Sequence, residues 1–167
     1  HLIHRDVSRA NLMCDTKGRV RVVDFGIARA DGRRTVTRTG DLRGNLAYMA
    51  PEQFMGRRID HRADIYAAAL VFYELCTGSH PFDQGVARTS LPWLWTLGID
   101  VNTEVDELLE ACLELDPANR PDRIELLGEA LGRFADARGF MGPRAIAEFF
   151  RGHDVSLAPK PPTLIAR

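Results

Sequence analysis

The 167-residue chain is long enough for one domain of ordinary size, and a formal net charge of −1 gives nucleic acid or an anionic membrane no electrostatic reason to be its main partner. With 45% hydrophobic residues it is a globular sequence, and its longest apolar run, Ile65 to Leu75, includes Tyr66 and Glu74 and is too short to span a bilayer. Cys14, Cys76 and Cys112 are widely spaced, which argues against a disulfide framework or zinc site and for a reducing, cytosolic setting; the histidines lack metal spacing and read as structural.

The first readable unit is a loop, His4-Arg5-Asp6-Val7-Ser8-Arg9-Ala10-Asn11. Two short apolar runs follow, Asn11 to Cys14 and Arg19 to Val23, with Asp15-Thr16-Lys17-Gly18 between them. That polar segment ending in glycine reads as a turn, so the runs form a hairpin. Folding the chain back brings Asp24, just past the second strand, beside Asn11. A carboxylate at Asp6 can orient or deprotonate a hydroxyl. The Asn11 carboxamide and the Asp24 carboxylate make an oxygen-only site suited to Mg²⁺ carried in with nucleotide phosphates.

Those residues carry a resemblance. His4-Arg5-Asp6 through Asn11 resembles the catalytic loop of the eukaryotic-type protein kinases, Asp24-Phe25-Gly26 their metal-binding signature, and Ala50-Pro51-Glu52 the motif that closes their activation segment. Each triplet alone is a weak signal; the three in order, at kinase-like spacing, are a strong one. The resemblance implies that Asp6 acts on the acceptor hydroxyl and that Asn11 and Asp24 hold Mg²⁺. Met13 would lie beneath the adenine of ATP, with core packing as the equal alternative. His4 would pack on Phe25 in a hydrophobic spine, and Arg5 would meet a phosphorylated activation segment. The plainer readings are a core histidine and a surface arginine. Ser8 is a departure within the catalytic loop, because Ser/Thr kinases of this type mostly carry there a lysine that touches the transferring phosphate. Arg9 is the neighbouring cation that can stand in.

Ile27 to Met49 is polar and arginine-rich, without periodicity, and by resemblance is the activation segment. Thr35, Thr37 and Thr39 are its candidate phosphosites. A phosphate would add about −1.5 to −2 charge and order the segment onto Arg5 or Arg29; exposed loop polars are the alternative. Asn45 is a second departure, at a place where threonine is common in Ser/Thr kinases. Tyr48 to Gln53 resembles the Ser/Thr branch more than the tyrosine branch.

Asp60 to Gly78 reads as the clearest helix, capped by Asp60 and ended by Gly78. Ile65, Ala68, Ala69, Phe72, Leu75 and Cys76 make its stripe, widened by Leu70 and Val71. It resembles the central helix of the kinase large lobe, with Asp64 accepting backbone N–H groups from the His4-Arg5-Asp6 turn. A first-turn aspartate on the helix dipole is the alternative. Pro92 is expected to open a short helix, with Trp93 and Trp95 buried. Thr103 to Leu115 reads as a helix capped by Thr103, with Val105, Leu108, Leu109, Cys112 and Leu113 as its stripe. Asp116 to Pro121 is close to a family signature, in which Arg120 pairs with Glu52. Pro121 and Asp122 open a helix carrying Ile124, Leu127, Leu131 and Phe134 on one face. Pro143 to Phe150 reads as a short amphipathic helix, and the proline-containing end from Gly152 as a flexible tail.

The fold expected is mainly α with a small β-hairpin: the large, C-terminal lobe of the protein-kinase-like fold, with the small lobe absent. Residues 1–135 would be a partial kinase domain, 136–151 a helical extension and 152–167 a tail. No glycine-rich phosphate loop or strand lysine precedes the catalytic loop, and Lys17 and Lys160 are both misplaced for that role. A chain that opens on His1 inside a motif reads as a piece of a longer one. The function expected of the parent is transfer of the γ-phosphate of ATP, with Mg²⁺, to Ser or Thr of a protein substrate. Residues 1–167 alone would be inactive without the small lobe. The competing expectations are a non-catalytic kinase-like scaffold and, more remotely, a small-molecule kinase.

Overall fold

The computed structural model describes residues 2–25, 46–82, 91–139 and 142–152. Gly26, Thr35, Thr37, Thr39, Asn45 and the tail beyond Gly152 lie outside the described residues.

The hairpin forms as the pattern predicts. Strands β1 (Leu12–Cys14) and β2 (Val20–Val22) pair antiparallel, with Leu12 opposite Val22 and Cys14 opposite Val20. Asp15 builds the turn. Its Oδ1 accepts the Lys17 and Arg19 N–H groups at 2.9 and 3.0 Å, and Gly18 supplies the positive φ of 78° that closes it. Gly18 is needed for a second reason, because a Cβ there would lie 1.9 Å from the Pro143 carbonyl oxygen. The last described helix therefore starts directly over the hairpin turn.

The hydrogen bond from the Arg19 backbone, ahead of the Arg19 side chain and Lys17, holds the Asp15 carboxyl below its ordinary value of 3.8. A lowered folded pKa means that this turn is favoured above the unfolded carboxyl's pKa and released as pH falls through the folded one. The Lys17 and Arg19 amide resonances are expected to titrate together below pH 3.8. Asp15→Asn should remove that transition.

After residue 45 the described chain is helical. Helix α1 (Pro51–Phe54) opens on Pro51, where the missing N–H costs nothing, and the Gln53 side chain reaches back to the Ala50 N–H at 3.0 Å. Helix α2 (Arg62–Thr77) is the axis of the structure. Asp60 lies one residue before the N-cap, which is His61 rather than Asp60 itself, yet its carboxylate accepts the Arg62 N–H at 2.8 Å, and Gly78 ends the helix in the left-handed conformation at φ 77°. Helices α3 (Thr103–Cys112), α4 (Glu125–Ala137) and α5 (Pro143–Gly152) follow.

Two apolar clusters share α2. One joins Ala63, Tyr66, Ala67, Leu70 and Val71 to Tyr48 and Ala50, with Val7 and Leu12 packed at its margin. The other joins Ile65, Ala69 and Tyr73 to Leu94, Leu109, Cys112 and Leu127. A helix covered on two sides has a weak directional pattern, which is why the expected stripe is partly wrong. Leu75 is 66% exposed, Ala68 and Phe72 are half-buried, and Tyr66 and Tyr73 are buried instead.

Other expectations are corrected here. Asn102, not Thr103, caps α3, accepting the Val105 N–H at 3.0 Å, and the helix stops at Cys112 rather than Leu115. Pro92 opens no helix; a short 3₁₀ turn runs over Leu94–Leu97. Trp95 is 63% exposed and Leu94 is the buried residue. The reason is Asp106, whose buried carboxylate accepts the Leu94 and Trp95 N–H groups at 2.9 and 3.2 Å and so turns Leu94 inward. Asp122 opens no helix either. Its carboxylate goes to Arg62 at 2.7 Å, α4 starts at Glu125, and Ile124 stays 40% exposed.

Candidate active site

The loop that carries Asp6 is held from beneath by α2. Asp64, in the first turn, accepts the His4 N–H on Oδ2 at 2.7 Å and the Arg5 N–H on Oδ1 at 2.8 Å. Arg5 sits between them at φ 65°, a conformation that costs a non-glycine residue about 1–2 kcal/mol. Gln53 of α1 secures the same residue by donating Nε2 to the Arg5 carbonyl at 3.0 Å. The expected role of Asp64 is thus the geometry observed.

His4 links this loop to the end of the hairpin. Its Nδ1 accepts the Asp6 N–H at 3.3 Å, which leaves Nε2 to donate to the Val23 carbonyl at 3.1 Å. The ring stacks on Phe25 at 4.6 Å between centroids, as the spine reading requires, although Phe25 keeps 46% of its surface exposed. Two residues on, Asp6 meets Asn11. The buried Asn11 amide donates Nδ2 to both the Asp6 carbonyl (2.7 Å) and Asp6 Oδ2 (3.1 Å). Two oxygens on one side fix the orientation of the amide, because a flip would set oxygen against oxygen. The Val23 N–H donates to the Asn11 carbonyl at 2.9 Å, which places Asp24 one residue beyond the Asn11 backbone. Asp24 itself is left-handed at φ 58°, so the two positive-φ non-glycine residues described, Arg5 and Asp24, flank the Asp6–Asn11 pair.

These residues fit a magnesium nucleotide. The Asn11 Nδ2 is spent on Asp6, so its Oδ1 is the atom turned elsewhere. Among the described residues no donor claims the exposed Asp24 carboxylate, and no trio of His, Cys, Asp and Glu converges. One carboxylate and one carboxamide are the protein share of a site whose other ligands are phosphates and water.

The remaining candidates divide. Ser8 is fully buried, and among the described residues its Oγ has no hydrogen-bond partner. The Arg9 guanidinium pairs with Glu74 Oε1 at 2.8 Å, and Tyr48 donates its hydroxyl to Glu74 Oε2. Met13 is 47% exposed and belongs to neither apolar cluster of the described residues. Glu52 and Arg120 meet as a two-pronged pair, Nη1–Oε1 2.7 Å and Nη2–Oε2 2.8 Å, both buried. The Arg120 guanidinium also reaches the carbonyls of Arg62, Glu114 and Leu115 and lies over the Tyr66 ring at 4.8 Å.

Sequence reasoning missed Glu74, Tyr48 and Asp106 as organising residues. Glu74 had a signal: it is the one carboxylate inside the Ile65–Leu75 apolar run, and a carboxylate buried there needs partners.

A loop carboxylate seated on a buried helix, beside a carboxamide and a second carboxylate borne on a hairpin, is the arrangement expected in the large lobe of a protein kinase. Residues 1–130 match the family model described as the protein kinase domain, and the chain belongs to that family. Among bacterial relatives it is 33% identical over 162 residues to the tyrosine-protein kinase MasK of Myxococcus xanthus, covering 92% of this chain and 25% of that protein. It is 49% identical over 148 residues to a probable serine/threonine-protein kinase PknB of Corynebacterium glutamicum, covering 80% and 23%. The solved kinase domain of PknI from Mycobacterium tuberculosis superposes with a TM-score of 0.59 at 30% identity, over 80% of this chain and 47% of that one. The chain thus spans about a quarter of these two relatives and about half of the solved kinase domain. No helix among the described residues is long and apolar enough to cross a membrane.

Proposed function

We propose that the protein containing this chain transfers the γ-phosphate of Mg·ATP to a Ser or Thr hydroxyl of a protein substrate. The observation that carries the reading is the Asp6–Asn11 pair, locked by two hydrogen bonds and set one residue from Asp24. Bound Mg·ATP supplies the phosphoryl group and the cation that spreads its charge. Asn11 fixes the plane of the Asp6 carboxylate through Oδ2, so that Asp6 orients the acceptor hydroxyl and takes up its proton. Asn11 Oδ1 and the Asp24 carboxylate hold the metal, and Met13 borders the adenine. His4 keeps the two halves in register through Val23. Ser8 contributes from beneath, by packing inside the loop. The names of the PknB relatives support Ser/Thr as the acceptor class.

The reading extends to Thr35, Thr37 and Thr39 as phosphosites and to Arg5 as the residue that meets them. It places this lobe in the cytoplasm, with residues 1–167 inactive until a small lobe completes the nucleotide site. In the full-length protein, Asp6→Asn is expected to lower kcat by about 10²–10⁴ while leaving the circular dichroism spectrum unchanged. Turnover unaffected by that change would overturn the assignment. The second reading, a kinase-like scaffold, draws on the buried Ser8 where a phosphate-contacting lysine is usual; tight Mg·ATP binding without turnover in the wild type would select it.

A further inference from the structure

Arg9 is a charged residue in the Asp6 loop that the transfer chemistry leaves unused, and its surroundings are built. Ser8 is extended (φ −159°, ψ 163°) with a buried side chain, so the next side chain leaves the loop on the opposite face. Arg9 then opens the 3₁₀ turn Arg9–Asn11, whose last residue is tied to Asp6. The guanidinium is fixed by one contact, Nη1 on Glu74 Oε1, while its side chain stays 67% exposed. Among the described residues it has no other ion pair. Glu74 is itself only 7% exposed and is shared with the Tyr48 hydroxyl, so two partners compensate the buried carboxylate. The path is continuous, because Asp6 and Tyr48 line one small cavity, Tyr48 bonds Glu74, and Glu74 holds Arg9.

We infer that Arg9 is a specificity-determining residue which, pinned by Glu74, presents a fixed positive charge to the acceptor peptide and selects acidic residues near the acceptor hydroxyl. This rests on the proposal that Asp6 receives that hydroxyl. Three residues of chain span at most about 11 Å, so an extended peptide seated on Asp6 brings residues two or three positions from the acceptor within reach of Arg9. A guanidinium already held at one corner loses little side-chain freedom on meeting a carboxylate with its open edge. Removing it would expose the Glu74 carboxylate on the same face, and the preference would turn toward lysine and arginine.

The test uses the full-length protein and three fluorescent peptides that share one serine and differ only in acidic, neutral or basic flanks. Anisotropy reads binding, and phosphate incorporation reads transfer. Wild type is expected to bind the acidic peptide about fivefold more tightly than the neutral one. Arg9→Lys should keep that order, and Arg9→Ala should abolish it and favour the basic peptide. Equal binding of the three peptides, an acidic preference that survives Arg9→Ala, or no binding at all would overturn the inference. Preferential binding without phosphate incorporation would sustain the role of Arg9 and refute the transfer reading; incorporation without preference would do the reverse.

Discussion

Arg120→Met is expected to lower the unfolding free energy by about 3–5 kcal/mol, the cost of leaving one member of a buried ion pair without its partner. Glu52 is 3% exposed and is matched by the guanidinium at two points, so the substitution strands a carboxylate in the interior. It also removes the donors to three carbonyls that close the junction between α2 and the segment after α3. Urea denaturation of the full-length protein, followed by a probe in this lobe, reads the loss. The double change Glu52→Leu with Arg120→Met separates burial of a lone charge from the worth of the pair. It should recover the part of the loss that comes from the stranded charge, since an apolar pair avoids desolvating either charge, while the part owed to the three carbonyls remains. A single-variant loss below about 1 kcal/mol would show the pair to be solvated, as surface pairs are. The pair also sets how α1 sits, because Glu52 lies in that helix and Gln53 beside it reaches Arg5. Activity should therefore fall along with stability.

Asp64→Ala is the second large effect, with an expected loss of about 2–4 kcal/mol, from two partly buried backbone N–H groups that lose a charged acceptor. The larger consequence is local. Arg5 is held in the left-handed region by Asp64 on one side and Gln53 on the other. Without Asp64 the loop has reason to relax, and Asp6 moves with it. Hydrogen exchange at His4 and Arg5 should accelerate far more than exchange in α3. Phosphate transfer should fall in kcat, with the nucleotide Kd less affected, because the Asp24 side of the site has its own support in the hairpin. Asp64→Asn keeps one acceptor oxygen and should fall between the variant and wild type. Unchanged exchange at Arg5 in Asp64→Ala would show that Gln53 alone sets the turn.

Much of this lobe was legible in the residues because local chemistry and tertiary role coincide there. Asp15 and Gly18 make a turn by themselves, which fixes the hairpin and hence the return of Asp24 toward Asn11. Asp64 and the Glu52–Arg120 pair came from a resemblance, and the structure supplies bonds that give each a physical purpose. What failed was the part that depends on which surface meets which. Helix α2 is apolar nearly all round, so its pattern could not say that Leu75 faces outward while Tyr66 and Tyr73 face in. Trp95 is the larger apolar side chain, yet Leu94 is buried, because Asp106 in another helix captures the two N–H groups that set the turn.

The sequence by itself determined the family and the sequence of loop, hairpin and following helices, and it nominated Asp6, Asn11 and Asp24 as the candidate set, since these follow from residue type and spacing. Only the tertiary structure decided what Arg9 does. In sequence it is the cation next to a missing lysine; in space it belongs to Glu74, sixty-five residues on and buried beneath Tyr48. A carboxylate withdrawn from water binds whichever cation the fold brings to it, and no pattern along the chain records that meeting.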